Sequence, residues 1–260
     1  MNTRQKGATY ITGCIVTYNN AETIVKCIDT LFSYNKKYKI VLYIVDNGST
    51  DGTIELIRER YPKVKLILSN QNLGFGKGHN LVLPYLKEGG YHFVINPDLY
   101  WKEDSVAAMV DFMESNANEI ASCTPKIINP NGSRQYLPQR EPSLRYVLFS
   151  KIPFLTYLRK EYTRESMNLE QPTEIDFCTG CFFCVKSDIF RQIGGFDERY
   201  FMYFEDADLS KKLRKTHKIF FYPYTEVIHT WKRDNTRSSI GRKRFLISMC
   251  QYFKKWGWKI

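Results

Sequence analysis

The stretch FMYFEDADL, Phe201–Leu209, sets three carboxylates, Glu205, Asp206 and Asp208, within four residues, directly after an aromatic and apolar run. Acids beside apolar walls suit proton transfer, because burial raises a carboxyl pKa toward the working range of a general base. A plainer role fits the same spacing, since acids are favoured in the first turn of a helix. Polar groups also end several apolar runs. YITGCIVTYN ends in Thr17, Tyr18 and Asn19, KIVLYIVDNGS carries Asp46, and YHFVINPD closes on Asn96 and Asp98. DNGSTDGT reads as a turn with a helix cap at Ser49 or Thr50, and GFGKG as a backbone loop able to cradle phosphate at a helix start. Gly78, not Ser or Thr, follows Lys77, and no glycine fingerprint follows the first apolar run. Both common nucleotide motifs are thereby disfavoured.

Such tips need strands to carry them. After the first β-branched run, AETIVKCIDTLFSY places Ile24, Val25, Ile28, Leu31 and Phe32 at helical spacing. KIVLYIVDNGS is a near-continuous apolar strand of the kind covered on both faces in a parallel sheet. DGTIELIRERY reads as helix, VKLILSN as a third strand, GFGKGHNLVLPYLKEG as a Gly-rich turn and helix, YHFVINPD as a fourth strand and EDSVAAMVDFMESN as a fourth helix. This alternation predicts an α/β fold with an open, mostly parallel, Rossmann-like sheet flanked by helices. Ligands bind beyond the carboxyl ends of such strands, so the polar tips predict a ligand cleft. The regularity breaks near Pro125. Residues 126–173, with Pro130, Pro138, Pro142, Pro153 and Pro172, read as a long surface excursion with one helix around SLRYVLFSKIPFLTYLRK. A strand and short helix follow in EIDFCTGCFFCVKSDIFRQIGGF, then a helix in DADLSKKLRKT and a strand in IFFYPYTEVIHT.

The 260 residues, 43% hydrophobic, suffice for one large core. The net charge of +11 is uneven: residues 210–260 hold 14 Lys/Arg against 2 Asp/Glu. A basic end points to an anionic surface or to a solvated face. The opening MNTRQKGATY is polar and no run of about 18 apolar residues occurs, so neither a signal peptide nor a membrane span is expected. The seven cysteines are then expected as reduced thiols in a cytoplasmic protein. CTGCFFC lacks a second cluster at zinc spacing and reads as buried thiols.

Taken in order, CIVTYNNAETIVKCIDTL, IVDNGSTDGT, NLGFGKGHN, INPDLYW, GGFDERYFMYFEDADL and VIH resemble the family 2 glycosyltransferases of the GT-A fold, nearest the bacterial rhamnosyltransferase-like branch. The resemblance runs from about Thr12 to about His229 and implies a GT-A domain over residues 1–230, with 126–173 as its acceptor-side excursion. It implies that Asp46 reads the ring N–H of uracil or thymine, with Thr17, Asn19 and Asp51 in the same nucleoside pocket. Asn72, Gly74 and Asn80 would underlie ribose and phosphates. NPD stands where many relatives carry DxD, so Asn96 replaces one acid, orienting ribose or a metal-bound water, and Asp98 would hold Mg²⁺ or Mn²⁺. His229 would close the metal or diphosphate site, or simply end a strand. Asp206 would be the catalytic base; Glu205 and Asp208 would orient the acceptor or cap the helix. Phe201, Tyr203 and Phe204 would offer stacking faces for a sugar, or core.

The implied activity is inverting transfer of a sugar, L-rhamnose from dTDP-rhamnose in that branch, to a lipid-linked saccharide or surface polysaccharide precursor. A UDP-sugar donor is the alternative. Residues 231–260, with Trp256 and Trp258 among Lys254, Lys255 and Lys259, would dock on the anionic inner face of the cell membrane. Two further classes make different demands on the sequence. A nucleotidyltransferase would carry a Gly-rich loop where TYNNAET stands, and a nucleic-acid-binding module would not place acids at the strand tips.

Overall fold

The computed structural model describes residues 9–117, 119–135, 139–149, 153–165, 167, 169–231 and 238–258. Residues 1–8 of the polar opening, Pro138 and Lys259 lie outside them. The chain alternates β1 (Ile11–Thr17), α1 (Ala21–Tyr34), β2 (Ile40–Asp46), α2 (Thr53–Arg60), β3 (Lys65–Leu68), α3 (Phe75–Asn80), β4 (Tyr91–Ile95), β5 (Leu99–Tyr100), α4 (Ser105–Ser115) and β6 (Ile120–Ile128). After the excursion come β7 (Thr173–Glu174), β8 (Phe182–Lys186), α6 (Ser187–Gln192), α7 (Glu205–Leu213), β9 (Lys218–His229) and α8 (Ser239–Trp256); α5 (Thr156–Tyr162) lies within it.

The sheet runs β3-β2-β1-β4-β8-β6-β9-β5, with β7 on β9. Its first four strands are parallel, and their register sets Thr17 beside Asp46 at the carboxyl edge. Beyond β4 the pairing is mixed: β8 is antiparallel to β4 and β6, whereas β6 and β9 are parallel. Strand alternation feeds two cores. Ile15, Ile44 and Phe93 face α1 and α4 with Ile28 and Met109, while Cys14, Val45 and Val94 face the other side with Phe190 and Leu209. Strands covered on both faces explain the near-continuous apolar runs.

Two expectations shift. The break placed at Pro125 is instead the interior of β6, where Pro125 sits at a register shift against β9. Proline cannot donate to a ladder, and a bulge removes the need. The excursion therefore starts after Ile128. Its expected single helix is divided into a π-helical turn, Arg145–Phe149, and α5. The C-terminal segment forms the 18-residue helix α8, which packs Met249, Tyr252 and Phe253 against Tyr200, Phe204 and Ala207. Among the described residues, no helix is long and apolar enough to cross a membrane.

Candidate active site

Asp46 ends β2 and is buried. Its Oδ2 accepts from the Gly48 and Ser49 amides at 2.9 and 3.0 Å, whereas its Oδ1 has no partner. A buried carboxylate oxygen without a donor costs free energy, so this atom is poised for a ligand N–H. The neighbouring residues shape its surroundings. Thr17 Oγ1 donates to Asn20 Oδ1 at 3.0 Å. Asn19, held at φ 55°, accepts from the Thr50 amide at 2.8 Å, and Asp51 Oδ2 accepts from the Ala21 amide at 2.9 Å. These bonds tie the β1–α1 turn to the β2–α2 turn.

Asn72, Gly74 and Asn80 serve the frame of the cleft. Asn72 Oδ1 accepts from Gly74 N at 3.0 Å, and Asn80 exchanges bonds of 2.9 Å with the Phe196 carbonyl and amide. Gly74 has φ 83° and ψ −176°, a region reserved for glycine, and a Cβ there would lie 2.2 Å from the Phe201 oxygen. The next amide, Phe75 N, donates to that oxygen at 3.0 Å. Asn47, which sequence reasoning missed, binds Gly74 O at 3.0 Å through Nδ2. The loop packs in this way as a support.

Asp98 and His229 come together from β4–β5 and β9. His229 Nε2 lies 3.2 Å from Asp98 Oδ1 and 3.4 Å from Asn96 Nδ2. The partner that fixes the imidazole is Gln135, within the excursion and unforeseen from sequence. Its Nε2 donates to His229 O and to Asn129 Oδ1, both at 2.9 Å, which turns its Oε1 toward His229 Nδ1 at 3.1 Å. Nδ1 therefore carries the hydrogen. Nε2 is left facing the Asp98 carboxylate, where a proton or a cation can bridge the two. A ligating histidine usually donates its other N–H to a carbonyl in this manner. Among the described residues no three His, Cys, Asp or Glu side chains form a complete cage. Two protein ligands suit Mg²⁺ or Mn²⁺, which keep waters and substrate phosphates as the rest of their shell.

Asp206 stands in the first turn of α7. Its Oδ2 accepts from Gly180 N at 3.0 Å and its Oδ1 from Ala207 N at 2.8 Å. Burial raises its pKa above the ordinary carboxylate range; Glu205 beside it, buried and with Oε2 unpartnered, is raised further by burial and by the Asp206 charge. Tyr162 of α5 lies near enough that, after burial, the Asp206 charge is the next cause raising its phenol. The turn 179–181 links Asp206 to the Asn96–Asp98 turn: Gly180 N donates to Asp206, and Cys181 O accepts from Asn96 N at 2.9 Å. Cys178 and Cys181 are buried free thiols pushed up to about 12, first by burial.

Asp208 points elsewhere. It is fully buried, with Lys255 Nζ at 2.7 Å and Trp256 Nε1 at 2.7 Å from its Oδ1. The structure sets it against α8, where it neither faces the cleft nor caps α7. A residue two places from Asp206 on a helix points away from it, and sequence spacing alone left that choice open. The aromatic run does likewise: Tyr203 and Phe204 pack on Phe245, and the Arg244 guanidinium lies 3.9 Å over Phe201.

The model of the family described as "Glycosyl transferase family 2" matches residues 13–194. The chain is 33% identical over 233 residues to an N-acetylglucosaminyl-diphospho-decaprenol L-rhamnosyltransferase of Mycobacterium tuberculosis, covering 82% of this chain and 74% of that protein. It is 27% identical over 229 residues to rhamnosyltransferase WbbL of Escherichia coli K12, covering 85% and 83%. Its fold resembles GalNAc-T7 solved with UDP, GalNAc and Mn²⁺, with TM-score 0.70 at 16% identity over 96% of this chain, which spans about half (48%) of that one. A mannosyltransferase of Pyrobaculum calidifontis with GDP-Man and Mn²⁺ superposes with TM-score 0.61 at 18% identity, over 96% of this chain and 65% of that chain. The GT-A architecture and the extent of these matches make this chain a member of glycosyltransferase family 2, an enzyme that transfers a sugar.

Proposed function

We propose that the protein moves L-rhamnose from dTDP-rhamnose to a hydroxyl of a lipid-linked saccharide or polysaccharide precursor, with inversion. The carrying observation is the 179–181 turn, which joins Asp206 on one side to the Asn96, Asp98 and His229 group on the other. Asp206 takes the acceptor proton, the acceptor oxygen forms the new bond to the anomeric carbon, and the bond to the diphosphate breaks from the opposite face. Asp98 and His229 would hold the divalent cation, which when bound neutralises charge on the departing diphosphate. Asp46 Oδ1 accepts from the base; thymine and uracil offer the same ring N–H, so a UDP-sugar remains the rival donor. Rhamnose is favoured by the names of the relatives that align along most of the chain. The test is a panel of dTDP- and UDP-sugars with a polyprenyl-diphosphate saccharide acceptor, with and without EDTA. Transfer from dTDP-rhamnose that stops in chelator and returns with Mg²⁺ or Mn²⁺ is expected, with the new linkage inverted by NMR. Exclusive use of a UDP-sugar, or full turnover in EDTA, would defeat the reading.

The same proposal sets the enzyme against an anionic membrane. α8 holds five Lys/Arg and no acid. Its outer face exposes Ile240 (63%), Leu246 and Ile247, together with Lys243 and Lys254, and Trp258 follows it. Lys255 and Trp256, expected on that face from sequence, turn inward to Asp208. An apolar face bordered by cations suits acidic lipid.

A further inference from the structure

The loop from Asp197 to Asp206 has a conformation its own sequence does not favour. Tyr203 and Phe204 both have positive φ, 74° and 66°, and neither is glycine. Phe204 is the N-cap of α7 and supplies no side-chain cap bond. Consecutive bulky residues in the left-handed region persist only where the surroundings over-determine them.

The surroundings are α8. Ser248 Oγ donates to Met202 O at 2.8 Å, and Arg244 covers Phe201 at 3.9 Å. Lys255 Nζ binds Asp197 Oδ2 at 2.8 Å at the start of the loop and Asp208 just past its end. Trp256 Nε1 binds Asp208 as well, at 2.7 Å. The other side of the loop meets the donor side of the cleft, where Phe201 O receives Phe75 N and abuts Gly74. One loop thus leans on α8 behind, on the donor loop in front, and ends at Asp206.

We infer that α8 is a positioning element of the transfer site: Lys255 and Trp256, through Asp208, and Ser248, through the Met202 carbonyl, hold the Glu205–Asp206 turn in place. The inference rests on the reading of Asp206 as the base. None of the three residues touches the reacting atoms; each is a positioning residue.

Lys255→Met removes the charge that spans both ends of the loop, Trp256→Phe removes the N–H together with part of the ring, and Lys255→Arg retains the charge. At a temperature where circular dichroism reports full folding, Lys255→Met and Trp256→Phe should lower kcat at least tenfold. Donor Kd, measured by titration calorimetry with dTDP-rhamnose, should move less than threefold, and Lys255→Arg should recover most of the loss. Hydrogen exchange on the full chain should accelerate at least tenfold in residues 199–207 of Lys255→Met and stay unchanged in β1, β2 and β4. Unchanged exchange in that loop, or wild-type kcat in folded Lys255→Met, overturns the inference. Asp206→Asn run in parallel separates the two readings: if it keeps full turnover, the base assignment fails, while the exchange measurement still decides whether α8 orders the loop.

Discussion

Asp206 and Asp208 lie two residues apart and meet opposite fates: one accepts the amide of the cleft turn, and the other is sealed against Lys255 and Trp256. The proposed base role rests with the side chain bound to the 179–181 turn. Asp206→Asn should lower kcat by about 10² to 10⁴, the usual range for a general base, with donor Kd nearly unchanged. Because burial raises the Asp206 pKa, and the base works only when ionised, kcat should fall with acid through a limb above the ordinary carboxylate range. A pH–rate profile with its acid limb at or below that range would contradict this. Gln135 is the second residue to test. It fixes the His229 tautomer, so Gln135→Leu should weaken Mn²⁺ binding by about 10- to 100-fold, read by electron paramagnetic resonance titration without any turnover. Unaltered Mn²⁺ affinity would remove Gln135 from the site. The positions of Asp46 at a strand end and of Asp98 just beyond one were legible in the sequence because each follows an apolar run. Gln135 was not, since nothing in NGSRQ marks one glutamine as the partner of a histidine 94 positions later.

Helices and strands differ in how well they announced themselves. The β1 to α4 alternation was legible because covered strands read as apolar runs and α1 as a regular stripe. β6 was hidden by Pro125, which signals a break unless a bulge absorbs it. α8 was read by its charge as a surface segment, yet its inward face closes a third core with Tyr200 and Phe204. The energetic test of this packing is Asp208→Ala. It removes the buried acceptor that Lys255 and Trp256 share, while Asp197 still binds the ammonium, so it should cost about 2–3 kcal/mol and lower Tm by about 5–10 °C for a chain of this size. A helix-capping aspartate would cost about 1 kcal/mol. Thermal melts of Asp208→Ala decide between them, and a loss near the smaller figure would show the ion pair to be dispensable.

For the molecule as a whole, one half of the sheet carries the Thr17–Asp46 edge and the other half brings β9, the excursion and α8 around Asp206. The basic, apolar outer face of α8 carries a prediction at this scale. The protein should float with anionic vesicles and not with neutral ones, and salt should release it, since each cation near an acidic surface contributes about 1 kcal/mol that ions screen. Ile247→Glu, on the exposed face, should abolish flotation without changing Tm by more than a degree or two. Equal binding to both vesicle types, or a concentration-dependent dimer that buries this face, would count against the membrane. The sequence by itself determined the αβ alternation, the acids at the strand tips and the family, because strand burial and short turn motifs are written in contiguous residues. Only the tertiary structure decided which acid of FMYFEDADL binds the 179–181 turn and which is sealed against α8, which amide turns His229, and that the C-terminal helix packs on the loop between Asp197 and Asp206. Those outcomes depend on groups 26 to 94 residues apart meeting at hydrogen-bond distance, and no local pattern encodes such meetings.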